Sequence, residues 1–137
     1  MEMISLSDAS KYYKTLFYSD KEMIANVVNT KGDILSNHLH CISMLRNKCA
    51  HTARLYNVDY NPPVKLGSTF LRKNPSVKNN TLFAYIIVLN KRLPNDEYRN
   101  EFVNGLEEII EKYKEYIDLE IIGFPKNYKE VLICCNK

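Results

Sequence analysis

Arg46, Asn47 and His51 stand in the run Leu45-Arg46-Asn47-Lys48-Cys49-Ala50-His51, continued by Arg54, Tyr56 and Asn57. The arginine offers a permanent cation and a fork of donors for a phosphate. The histidine, four residues after the adjacent amide, can exchange a proton near neutral pH. A fixed cation, an orienting amide and a proton-exchanging ring are what metal-free cleavage of an RNA backbone requires. Arg-x4-His alone is a weak signal. With Asn47 after the arginine and the tail Ala50-His51-x-x-Arg54-x-Tyr56-Asn57, it becomes much more specific.

The elements around the motif read as helices. Leu6, Ala9, Tyr12 or Tyr13, and Leu16 suggest a first amphipathic helix. Ser19-x-x-Glu22 has the form of a capping box opening a second, which carries Met23, Ile24, Val27 and Val28 and ends at Lys31-Gly32. A long third helix is predicted from Asp33 to Tyr56, with Leu35, Leu39, Ile42, Leu45, Cys49, Ala53 and Tyr56 as its core-facing stripe. Asn61-Pro62-Pro63 terminates it, and a loop rich in Lys, Asn, Ser and Pro follows to Asn80. The fourth helix, Thr81 to Leu93, is apolar nearly all round and therefore central. Pro94-Asn95-Asp96 is a turn and cap. The fifth helix puts Phe102, Leu106, Ile109, Ile110, Tyr113 and Ile117 inward and breaks at Gly123-Phe124-Pro125, before a tail that is a short helix or an extended strap. The expected fold is an all-α bundle forming one domain over residues 1–137.

At about 100° per residue, His40, Asn47, His51 and Arg54 fall on one stripe opposite the apolar face. Arg46 points about 140° from His51 in an ideal helix. Two arrangements are open. Its stem can lie along the core edge while the guanidinium reaches the site, or it can pair with Glu107 or Glu111 on a neighbouring helix. Tyr56 and Asn57 read as closing the helix, Cys49 as packing, and Lys48 as solvent-facing and within reach of phosphate.

Nine basic residues fall between Ile34 and Asn95, against Asp59 alone, and all three histidines lie in the same block. Such a field favours a polyanion. The four cysteines make no CxxC pair, and His38-x-His40 is no known ligand framework, so reduced thiols are expected and neither metal nor cofactor. The start of the chain lacks a signal-peptide pattern, and the run Tyr85 to Leu89 is too short to span a bilayer, so the expected location is cytoplasmic.

The Leu45–Asn57 string resembles the signature of the Abi-like proteins, the AbiD/AbiF type of bacterial abortive-infection family, within the HEPN superfamily of helical ribonucleases. A looser resemblance extends to Gly123-Phe124-Pro125 and Tyr128. Relatives carry additional helices before the point where this chain begins, so a truncated or divergent member is expected. The resemblance implies a HEPN-like helical bundle whose Arg-x4-His motif faces its copy across a homodimer. It implies catalytic roles for Arg46, Asn47 and His51, with the RNA 2′-hydroxyl as nucleophile. Lys48, Arg54 and His40 are the candidate RNA-binding residues. The expected setting is phage defence or a toxin–antitoxin system, with an antitoxin or another defence protein as partner. The alternative is a catalytically silent helical domain that binds RNA or protein.

Overall fold

The computed structural model describes residues 4–134. They form α1 (Leu6–Thr15), α2 (Tyr18–Val27), α3 (Gly32–Ala50), α4 (Ser68–Lys73), α5 (Leu82–Lys91), α6 (Asp96–Tyr113) and α7 (Tyr128–Cys134). The described residues contain no strand, and the all-α expectation holds.

A side-chain cap opens three of the seven described helices. The Ser5 hydroxyl accepts from the Asp8 amide at 3.1 Å at the start of α1. Thr81 does the same for Ala84 at α5, at 3.3 Å, and the Asn95 side chain for Tyr98 at α6, at 3.0 Å. The predicted Ser19–Glu22 box does not form. The second helix begins two residues earlier, behind Phe17, with no side-chain cap. Glu22 instead accepts the Gly32 amide at 3.0 Å, tying the first turn of α3 back to α2. Gly32 therefore opens a helix rather than closing one.

The central role predicted for α5 is correct. Phe83, Ala84, Tyr85, Ile86, Ile87 and Val88 are all buried. One side of α5 packs Phe83, Ile86 and Ile87 against Val103, Ile122, Phe124, Val131 and Leu132. The other packs Ala84, Tyr85 and Val88 against Cys41, Leu45, Tyr60 and Val64. Each large side chain buried this way contributes roughly 1.5–3 kcal/mol of transfer free energy. A smaller cluster, Tyr13, Ala25 and Leu35, seats α1 and α2 on the first half of α3.

Two expectations are corrected. The segment from Pro63 to Asn80 is not all loop, since α4 forms within it and presents Phe70 to the core. Ile109 and Tyr113 of α6 are exposed rather than inward, while Val103 is buried. The second helix buries Ala25 and leaves Met23, Ile24, Val27 and Val28 exposed. The tail folds as α7, its Val131 and Leu132 closing the core. Cys41, Cys49 and Cys134 are free thiols; Cys135 lies outside the described residues.

A buried histidine makes a polar connection across the bundle. His38 is 2% exposed. Its Nε2 lies 2.9 Å from the Lys65 carbonyl, while Nδ1 accepts from Arg92 Nε at 3.1 Å and faces Arg92 Nη2 at 3.0 Å. Nε2 therefore carries the proton and donates to the carbonyl. Burial, and then the Arg92 charge, push the His38 pKa down to about 4, so the ring is neutral. Arg92 caps the C-terminal end of α5, where a cation meets the helix dipole favourably.

Candidate functional site

The third helix is the longest of the described elements, and it stops earlier than predicted. Its last helical residue is Ala50, with His51 as the cap. The Thr52 amide donates to the Cys49 carbonyl at 3.3 Å and the Ala53 amide to Lys48 at 2.9 Å. Thr52 itself sits at φ 50°, in the left-handed region. That is a Schellman closure with a β-branched residue where glycine is favoured. Arg54, Tyr56 and Asn57 therefore lie beyond the helix, and the predicted stripe loses its last member. No sequence signal marked the stop, because threonine is rare in that conformation.

What remains of the stripe is compact. His51 is one turn from Asn47, its amide donating to the Asn47 carbonyl at 3.0 Å. Arg46 Nη1 donates to the Asn47 side-chain oxygen at 3.2 Å. The guanidinium thus swings off its ideal direction toward the face that carries His51. It makes no ion pair among the described residues. Glu107 pairs with Lys129, and Glu111 with Lys114, so neither serves Arg46. Arg46 and His51 are both exposed.

The other candidates are placed differently. Lys48 is half-buried, and its ammonium lies 5.6 Å from the centre of the buried Tyr60 ring, a cation–π contact rather than a free solvent position. Arg54 Nε donates to the Tyr56 carbonyl at 2.8 Å, which fixes the exposed guanidinium just beyond the motif. Tyr56 does more than close a helix: its hydroxyl accepts the Asp118 amide at 3.0 Å, joining the motif's tail to the segment after α6. Cys49, predicted to pack, is exposed. The last turn of α3 projects past its neighbours, leaving Arg46, Cys49, Ala50 and His51 open to solvent.

His40 is not part of this group. It is about two turns before Asn47 and three before His51. There it lines a separate cleft with Lys14, Asp33, Ser36, Asn37 and Lys65. Partial burial, and then the Lys14 charge, hold its pKa below the usual range. The structure brings together Arg46, Asn47 and His51 and leaves His40 apart.

A further cleft lies elsewhere, at Asp59, Lys78, Asn80, Thr81 and the Gly123–Asn127 loop. Sequence reading passed over it. Its lining comes from two segments far apart in the chain, around Asp59–Thr81 and Glu120–Asn127, which no local pattern joins. Among the described residues, no group of three or more His, Cys, Asp or Glu is placed to hold a metal ion. No helix among them is long and apolar enough to cross a membrane.

Fold and site together define an all-helical protein whose longest described helix ends in an Arg-Asn-His group with Arg46 and His51 exposed. The family model described as Abi-like protein matches residues 1–57. That stretch contains α1, α2, α3 and the whole Arg46–Asn57 motif, and the match supports the Abi-like family. Comparison with curated proteins and with solved structures gives no match.

Proposed function

We propose that the chain is a metal-independent endoribonuclease of the HEPN type, acting as a homodimer in abortive infection or as the toxin of a toxin–antitoxin pair. One observation carries this reading: Arg46 folds its guanidinium onto Asn47, one turn from His51, on an open helix end, and not onto a carboxylate. A cation held by a neutral amide keeps its charge available to a phosphate.

In the reaction, one His51 takes the proton from a ribose 2′-hydroxyl. The O2′ attacks the adjacent phosphorus, and the P–O5′ bond breaks. The partner subunit's His51 delivers a proton to the leaving O5′. The products are a 2′,3′-cyclic phosphate and a 5′-hydroxyl. Arg46 stabilises charge developing on the phosphate oxygens. Asn47 orients Arg46 through the hydrogen bond it already makes, while Lys48 and Arg54 hold flanking backbone. The open position of the motif suits this scheme, since a facing copy supplies the second wall and the second proton carrier. DNA, lacking the nucleophile, is not a substrate.

The test is an RNase assay on the wild type and His51→Ala. Cleavage by the first and its loss in the second support the reading, and equal activity or equal inactivity contradicts it. A second reading, a silent helical interaction domain, draws on the apolar surface of α2 and its approach. Phe17 is 83% exposed and Val27 80%, alongside Met23, Ile24 and Val28. Salt-dependent RNA binding without cleavage selects that reading.

A further inference from the structure

The cleft of about 610 Å³ between the Asp59 loop, the Ser76–Thr81 segment and the Glu120–Asn127 loop is within the size range of small-molecule sites. A smaller recess of about 110 Å³, lined by Leu55, Asn57 and Val58, shares Asp59, Asn80 and Thr81 with it. That recess takes in Leu55, four residues after His51 in the sequence.

The walls are held independently of any occupant. The Tyr60 amide donates to the Asn80 carbonyl at 2.9 Å, and the Val64 amide to Asn79 at 2.8 Å. The Phe83 amide donates to Ile122 at 3.2 Å, and the Phe83 and Phe124 rings lie 4.6 Å apart. Gly123, at φ 84°, presses so closely on Thr81 that a Cβ there would collide with the threonine side chain. The polar side chains of the lining are not part of that framework. Asp59, Lys78, Asn80, Lys126 and Asn127 make no side-chain hydrogen bond or ion pair among the described residues. Elsewhere Asn37, Asn74 and Asn95 spend their amides on backbone groups.

Carboxylates at Asp59 and Glu120 make the cleft a poor seat for a bare phosphate. A carboxylate does accept two parallel N–H donors well, and guanine is the base that offers such a pair, N1–H beside its 2-amino group. Unpaired RNA bases are read in this way, through their polar edges in preformed pockets. We propose that this cleft is a subsite for an unstacked guanine of the strand presented to the motif. Asp59 accepts the paired N–H donors, Asn80 and Asn127 meet the remaining polar edge, and Lys78 and Lys126 hold adjoining phosphates. The proposal rests on the ribonuclease reading for its strand but not for its chemistry.

The experiment titrates the ¹⁵N-labelled chain with GMP, AMP, CMP, UMP and inorganic phosphate. GMP is expected to shift the amides of Asp59, Asn80 and Gly123 and to bind about tenfold more tightly than UMP, with Asp59→Asn removing the preference. Phosphate alone is expected to leave these amides unmoved. Equal affinity for all four nucleotides, phosphate reproducing the shifts, or a cleft silent to GMP each overturns the proposal. Cleavage is not read, so the two failures separate. A chain that cuts RNA with a silent cleft sinks only the subsite. A chain that binds GMP there and cuts nothing sinks only the nuclease.

Discussion

Arg46 Nη1 donates to the Asn47 side-chain oxygen at 3.2 Å, across adjacent positions whose ideal directions differ by about 100°. That bond resolves the awkward placement of Arg46 on a helical wheel. The stem leaves the helix on the wrong side and the guanidinium returns to the His51 side. Removing the amide oxygen should free the guanidinium without removing its charge. Asn47→Ala is therefore expected to lower the cleavage rate, by on the order of tenfold, while RNA affinity falls little. Single-turnover rates with a parallel binding titration check this. A loss confined to affinity would assign Asn47 to substrate contact.

Arg46→Ala should act on both quantities. The substitution removes one phosphate contact, so affinity falls and the log–log salt slope flattens by about one unit or less. His51→Ala should stop cleavage with the slope unchanged. Binding isotherms at several salt concentrations, with uncleavable RNA, distinguish the two. Indistinguishable slopes for all three proteins would remove Arg46 from the phosphate site.

The buried His38 should make stability pH-dependent. Its pKa falls from an ordinary 6.5 to about 4 in the folded chain, so between those values the unfolded chain binds more protons than the folded one. Stability is thus full above pH 6.5 and declines as the pH falls toward 4, by up to about 3 kcal/mol from this group. His38→Gln removes that titration. Urea midpoints from pH 4 to 7 should show a shallower decline for the variant; parallel curves would contradict the neutral His38–Arg92 arrangement.

Two left-handed positions should respond oppositely to substitution. Thr52, at φ 50°, closes α3 with a β-branched residue, and Thr52→Gly should stabilise by about 1 kcal/mol. Gly123→Ala combines the same backbone penalty with a collision at Thr81 and should cost about 2 kcal/mol or more. Denaturation midpoints settle both, and the same sign for the two would contradict the geometry.

The exposed Cys49 offers a probe of the dimer. With Cys134→Ser and Cys135→Ser in place and Cys41 buried, a spin label goes to Cys49. Two motifs in a shared cleft should give one short intermolecular distance. No intermolecular coupling, or a distance spanning opposite outer faces, would contradict the facing arrangement.

The helical class, the central α5 and the cap at Asn95 were legible because each rests on local periodicity or a local hydrogen bond. The end of α3 was not, since it depends on Thr52 adopting a conformation that its side chain disfavours. The inner face of α2 was not legible, because only Ala25 is buried there and its larger apolar neighbours face outward. Arg46, Asn47 and His51 could be picked out from type and spacing. The separation of His40 and the His38–Arg92 bond could not, because 54 residues part the latter pair and only the packing of α5 on α3 joins them.

The most direct test of the nuclease reading is the cleavage rate, in chelator, of an RNA carrying a single 2′-deoxy nucleotide at the scission position. The all-ribose strand should be cut to a 2′,3′-cyclic phosphate and a 5′-hydroxyl, and the substituted strand should bind and stay intact. Equal cutting of both strands would mean that the 2′-hydroxyl is not the nucleophile, and the mechanism assigned to Arg46, Asn47 and His51 would be wrong.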